Sequence, residues 1–181
     1  VDIRAAIDLI ESKGQKTLEL IKLPYSQSAL SPVMSSKTLE VHYGKLARGY
    51  VDRYNDNEGD PNFNEAGAYL HNIFFGQLRG PKQNNRPTGP VLSLINRKYG
   101  DFAKFKEQML KAAMSIQGSG WVYMSRTGEI KTIRNHQIRK DIALLIDWWE
   151  HAWAQDYGSD KKRYLENIWR IINWDSVNGR L

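Results

Sequence analysis

The sequence predicts an α+β fold: an N-terminal helical hairpin followed by a C-terminal domain of helices around a small three-stranded antiparallel sheet. Three observations carry this. Apolar residues recur at helical spacing through the first half, and three short runs suited to strands fall between residues 120 and 147. Three of the six prolines crowd into "GPKQNNRPTGP" between the two regimes, at residues 80–90. The expected division is an N-terminal helical arm over 1–22, a hairpin domain over 23–85 and an α/β domain over 86–181.

In the arm, Ile3, Ile7 and Ile10 and then Leu18 and Ile21 fall at helical spacing, interrupted at "SKG", which predicts two short helical pieces. After the irregular "LPYSQSALSP", Ser35 or Ser36 can cap a helix through "TLEVHYGKLARGYVDRYN", with Leu39, Tyr43, Leu46 and Tyr50 on one stripe. The turn "NDNEGDPN" leads into a second helix, "FNEAGAYLHNIFFGQL", that stops at "RGP". Two further helices, "GPVLSLINRKYG" and "DFAKFKEQMLKAAMS", precede the strands "GWVYMSR", "EIKTIRN" and "IALLID". "SDKKRYLENIWRIINW" closes the chain as an amphipathic helix capped by Ser159 or Asp160.

Composition narrows the function. With 41% hydrophobic and 11% aromatic residues, this is a folding sequence with a real core, and it has no apolar run long enough to span a membrane. The absence of cysteine excludes disulfides, thiolate metal sites and cysteine nucleophiles, so a bound metal would need His, Asp, Glu or water. Such ligands suit a hard or borderline ion such as Mn or Fe. The net charge of +6 comes from basic residues mixed with twenty acids, a pattern that suits attraction of a small anion better than a nucleic-acid track. Val1 in place of an initiator Met hints at processing, and an intracellular, soluble setting is expected.

The four histidines are His42, His71, His136 and His151, each in an apolar or aromatic setting. Any one alone reads as a hydrogen-bonded core histidine. Asp147 alters that reading, because a carboxylate amid "LLIDWWEHAW" needs a cation, a dense set of donors or exposure. His42 and His71 lie on facing helices and His151 four residues after Asp147, so the four can converge on one ion. Spacing alone reaches only a mononuclear His/Asp metal site.

Five ordered motifs take the reading further: "HYGK…Y" at 42–50, "FNEAGAYLH" at 63–71, "GSGW" at 118–121, "DWWEHA" at 147–152 and "YLENIWRIINWD" at 164–175. Together they resemble the iron/manganese superoxide dismutase family from Leu23 to Asp175. The resemblance implies one Mn or Fe ion per chain on His42, His71, Asp147 and His151, with superoxide as substrate. It implies that Asp147 also accepts a hydrogen bond from solvent on the metal, that Tyr50 guards the substrate funnel, and that Trp121 and Trp149 wall the pocket. It also implies a Gln or His beside that solvent. Gly67, four residues before His71, cannot supply it, so "RNHQ" must, through His136 or Gln137, with the preceding Asn favouring His136. A donor on the sheet is similar to manganese and metal-tolerant members.

Two departures from the family pattern stand out. Leu46 and Ala154 replace a His and a Tyr that meet across the family's dimer interface, whereas Glu150, which bonds a ligand His of the partner subunit in the family, is present. A homo-oligomer through the Glu150 and His151 region is expected. Proton supply is expected to rest on Tyr50 and ordered water, and pairing to draw on the arm. Leu46 is expected near the funnel, sharing a face with His42 and Tyr50. The alternative reading is a structural subunit of a larger assembly that retains the fold, with or without its metal.

Overall fold

The computed structural model describes residues 3–4 and 16–181. Most of the expected arm, including Ile7 and Ile10, lies outside the described residues. The expected helix around Leu18 and Ile21 is corrected: residues 16–23 carry no helix and run as a strap across the hairpin. Its backbone groups find side-chain partners instead of one another. The Asn55 amide donates to the carbonyl of Leu18 and accepts from its N–H, at 2.9 and 2.8 Å. The Asn72 amide does the same for Glu19 O and Ile21 N, at 2.9 and 3.0 Å. Leu18 and Leu20, two residues apart as on a strand, pack against Tyr50, Val51 and Ala68.

The first hairpin arm is α1 (Ser36–Val41), a π-helical segment (His42–Ala47) and α2 (Arg48–Asn55). Ser35 caps α1 by accepting from Thr38 N, and its own N–H and hydroxyl donate to Asp156. The return arm is α3 (Pro61–Gly76), capped by Asp60. After α4 (Gly89–Tyr99) and α5 (Phe102–Met114) come β1 (Gly120–Ser125), β2 (Ile130–Arg134) and β3 (Ile142–Asp147), then α6 (Glu150–Tyr157) and α7 (Lys161–Ile168). A 3₁₀ turn (Trp169–Ile171) and α8 (Trp174–Asn178) end the chain.

The three expected strands form one antiparallel sheet in the order β2-β1-β3, with Trp121 paired to Asp147. Both β1 and β3 are buried along their whole length, because α5 packs on β1 and α3 on β3. The closing helix is shorter than expected. It ends at Ile168 because Asn85 takes the carbonyls of Trp169 and Ile172, and Ile172 bridges to Leu78, which buries Ile171 and Ile172. No helix among the described residues is long and apolar enough to cross a membrane.

Candidate metal centre

Four elements deliver one side chain each to a single point. His42 opens the π segment and His71 sits inside α3, where Phe74 and Phe75 pack around the imidazoles. Asp147 ends β3, and His151 lies in the first turn of α6, four residues on. Potential ligand atoms from all four lie within 4.8 Å of one another. His42, Asp147 and His71 are fully buried, and His151 is nearly so.

The orientation of each group is accounted for. Asp147 Oδ1 accepts the Trp149 backbone N–H at 2.9 Å, which turns Oδ2 toward the histidines. The Nε2 atoms of His42, His151 and His71 lie 2.9, 3.1 and 3.4 Å from that one oxygen. His71 Nδ1 donates to Gly67 O at 2.7 Å, so in the neutral ring Nε2 is a lone pair, and it has no hydrogen-bond partner. A lone pair facing a carboxylate oxygen in a dry interior is repulsive unless a cation lies between them. Burial lowers His42 to a pKa of about 3, keeping it neutral and able to ligate. Burial alone would raise the Asp147 carboxyl, but its interactions with the surrounding imidazoles, His151 first, outweigh that and hold the group well below its ordinary range. Ligand bonds of about 2.1 Å place ligand atoms roughly 3 to 4 Å apart, which this cluster approaches. The donor set therefore fits one divalent or trivalent ion.

Tyr50 and His136 stand beside this cluster. The Tyr50 ring stacks on His71 at 5.4 Å, and its hydroxyl lies 2.8 Å from His136 Nε2. Asn135 takes a left-handed φ of 53°, a conformation Asn tolerates, and the chain then turns His136 inward. His136 is buried, stacked on Trp149 at 4.3 Å, while Gln137 is exposed and bonded to Arg139. Of the two candidates, only His136 reaches the site. At Gly67 an added Cβ would lie 2.7 to 3.0 Å from the Tyr50 ring, so a side chain there would force that ring to shift.

Phe63 was not singled out from the sequence. Its ring lies 4.9 Å from His136 and 5.9 Å from Tyr50, and it is exposed beside the site. The spacing Phe63, Gly67, His71 along one helix face is the signal that places it there. Within the π segment Ala47 is fully buried, while Leu46 is part-exposed and in neither apolar cluster. Ala154 is part-exposed and Glu150 exposed.

Residues 17–60 match the model of the alpha-hairpin domain of the iron/manganese superoxide dismutases, and residues 87–180 match that of the family's C-terminal domain. The chain belongs to the iron/manganese superoxide dismutases. It is 35% identical over 190 residues to a Mn/Fe superoxide dismutase of Porphyromonas gingivalis, covering 91% of this chain and 99% of that protein. It is 33% identical over 192 residues to an Fe superoxide dismutase of Bacteroides fragilis, covering 91% and 100%. With an Fe superoxide dismutase of Pyrobaculum aerophilum the identity is 31% over 195 residues, covering 92% of each. Superoxide dismutases of this family are oxidoreductases that use one Fe or Mn ion, and the His/Asp group of this chain is able to hold one. Family and site together favour the enzyme over a structural subunit.

Proposed function

We propose that His42, His71, Asp147 and His151 hold one Mn or Fe ion, and that Tyr50, supported by His136 and Trp121, controls access and proton supply during superoxide disproportionation. The observation that carries this is the His71 Nε2 lone pair facing Asp147 Oδ2, beside two further imidazole nitrogens on the same oxygen. The ion, when bound, supplies the electron exchange: one superoxide is oxidised to oxygen, and a second is reduced to peroxide with uptake of two protons.

The chain's own residues manage the rest. Trp121 Nε1–H donates to His136 Nδ1 at 3.1 Å, and an indole can only donate, so the neutral His136 ring carries its proton on Nε2. Burial, aided by the nearby His71, lowers His136 to about 3, so the ring stays neutral. Nε2–H then donates to the Tyr50 oxygen, which leaves the Tyr50 O–H proton for the site. Burial, then the Asp147 charge, raise Tyr50 to about 12, which keeps the phenol protonated at neutral pH and ready to donate. After donation, His136 Nε2–H steadies the phenolate. Tyr50, rather than His136, is therefore the donor aimed at the reacting anion, and Phe63 and Trp149 flank its approach.

A His136 carried by the bend just after β2, and the Tyr50 ring packed against Gly67, support a preference for Mn or tolerance of both metals. Pairing of two chains through the exposed Glu150 and the adjacent His151 goes with this reading, as does a division into domains at residues 85 and 86. Metal analysis and a superoxide-scavenging assay on protein loaded separately with Mn and Fe test it. One ion per chain, lost in His71→Ala, with activity in at least one form, is the expected result. Retention of metal in that variant overturns the ligand set.

A further inference from the structure

The two deeply buried ligand histidines differ in what steadies the ring nitrogen turned away from the ion. A ligating imidazole nearly always gives its second N–H to a partner, which fixes the ring and tunes the ligand. His71 uses the carbonyl one turn back, donating from Nδ1 to Gly67 O at 2.7 Å. The equivalent carbonyl for His42 belongs to Thr38 and accepts the backbone N–H of His42, but the His42 ring makes no bond to it. His42 Nδ1 is fully buried and has no partner. One turn back on the same face of α1, the hydroxyl oxygen of Thr38, itself 2% exposed, is also without a partner. Each unsatisfied buried polar group costs about 1–3 kcal/mol, and two that share a helix face can satisfy each other directly or through one water.

We propose that Thr38 is the positioning residue of His42: its hydroxyl, directly or through one internal water, accepts the Nδ1–H proton and orients the ring toward the ion. This rests on the assignment of His42 as a ligand. The two histidines are then held by unlike partners, an immobile carbonyl for His71 and a rotatable hydroxyl for His42. A hydroxyl both donates and accepts, so Thr38 can also satisfy whatever else lies beside it in that interior, which a carbonyl cannot.

The test compares Thr38→Val, which keeps the shape and removes the hydroxyl, with Thr38→Ser, which keeps the hydroxyl. Metal affinity is read by competition with a chelator, and the metal-loaded parent is solved by high-resolution crystallography. About a tenfold loss of affinity in Thr38→Val, with Thr38→Ser near the parent, is expected. The parent density should show Thr38 Oγ1, or one water on it, within hydrogen-bond distance of Nδ1. Equal affinities in both variants, or a parent map with Nδ1 bonded elsewhere, overturn the proposal. Should Thr38→Val not fold, the parent map decides alone. A parent that binds no metal would instead refute the ligand assignment on which this rests.

Discussion

Trp121 donates its indole N–H to His136, and His136 Nε2 faces the Tyr50 hydroxyl, so a tryptophan on β1 is linked through one imidazole to a tyrosine of the hairpin. The relation is one of hydrogen-bond type. Because indole never accepts, a neutral imidazole here carries its proton on Nε2, facing the Tyr50 oxygen.

Replacing Trp121 by Phe keeps an aromatic wall and removes that donor. His136 can then protonate on either nitrogen, and Tyr50 loses its fixed partner. Pulse radiolysis should show peroxide formation slowed about tenfold, the oxygen-forming half less affected, and metal content unchanged. Equal slowing of both halves would reject the role in proton supply.

Gly67→Gln puts a Cβ against the Tyr50 ring, at 2.7 to 3.0 Å if nothing moved. Overpacking of this kind costs about 1–3 kcal/mol. The variant should denature at lower urea and lose activity through a displaced Tyr50, with the ligand set intact. A variant as stable and active as the parent would show that the helix can accommodate a donor after all.

Acid should destabilise the fold through its buried histidines. Burial lowers both His42 and His136 to about 3 from an ordinary 6.5. Between those values the unfolded chain takes up protons that the folded chain refuses, so stability is complete above the unfolded value and falls as pH falls. Each group costs about 1.4 kcal/mol per pH unit within the window. Urea midpoints measured across that window should fall more gently in His136→Gln than in the parent. Parallel slopes would remove His136 from the account.

The strap over the hairpin depends on two asparagines. Asn72→Leu leaves the part-exposed Ile21 N–H and Glu19 O without their partner, for a loss of about 0.5–1.5 kcal/mol by chemical denaturation. Because the strap supports the cluster of Tyr50, Val51 and Ala68, activity should fall further than metal content. An unchanged midpoint would mean that the strap contributes nothing to the fold.

The π segment over His42–Ala47 shows where local reasoning stops, because a π turn depends on the packing of its neighbours and leaves no periodic trace. Leu18 and Ile21 fit a helical period, yet they become a strap because Asn55 and Asn72, remote in sequence, offer their backbone better partners than a short helix can.

What the sequence determined by itself was local or patterned. The three strands, a cap at Ser35 or Ser36 and another at Ser159 or Asp160, the i, i+4 spacing of Asp147 and His151, and a carboxylate among apolar residues that needs a cation, donors or exposure are all properties of neighbours in the chain. Only the tertiary structure put His136 on Tyr50 and Gln137 on Arg139, set the Trp121 indole against His136 Nδ1, and laid the Tyr50 ring against Gly67. Each of those outcomes depends on a partner from a distant segment, whether the β1 indole, the left-handed turn at Asn135 or the Tyr50 ring. Hydrogen-bond direction and van der Waals contact act between atoms in space, so a linear pattern can name the residues without placing their protons.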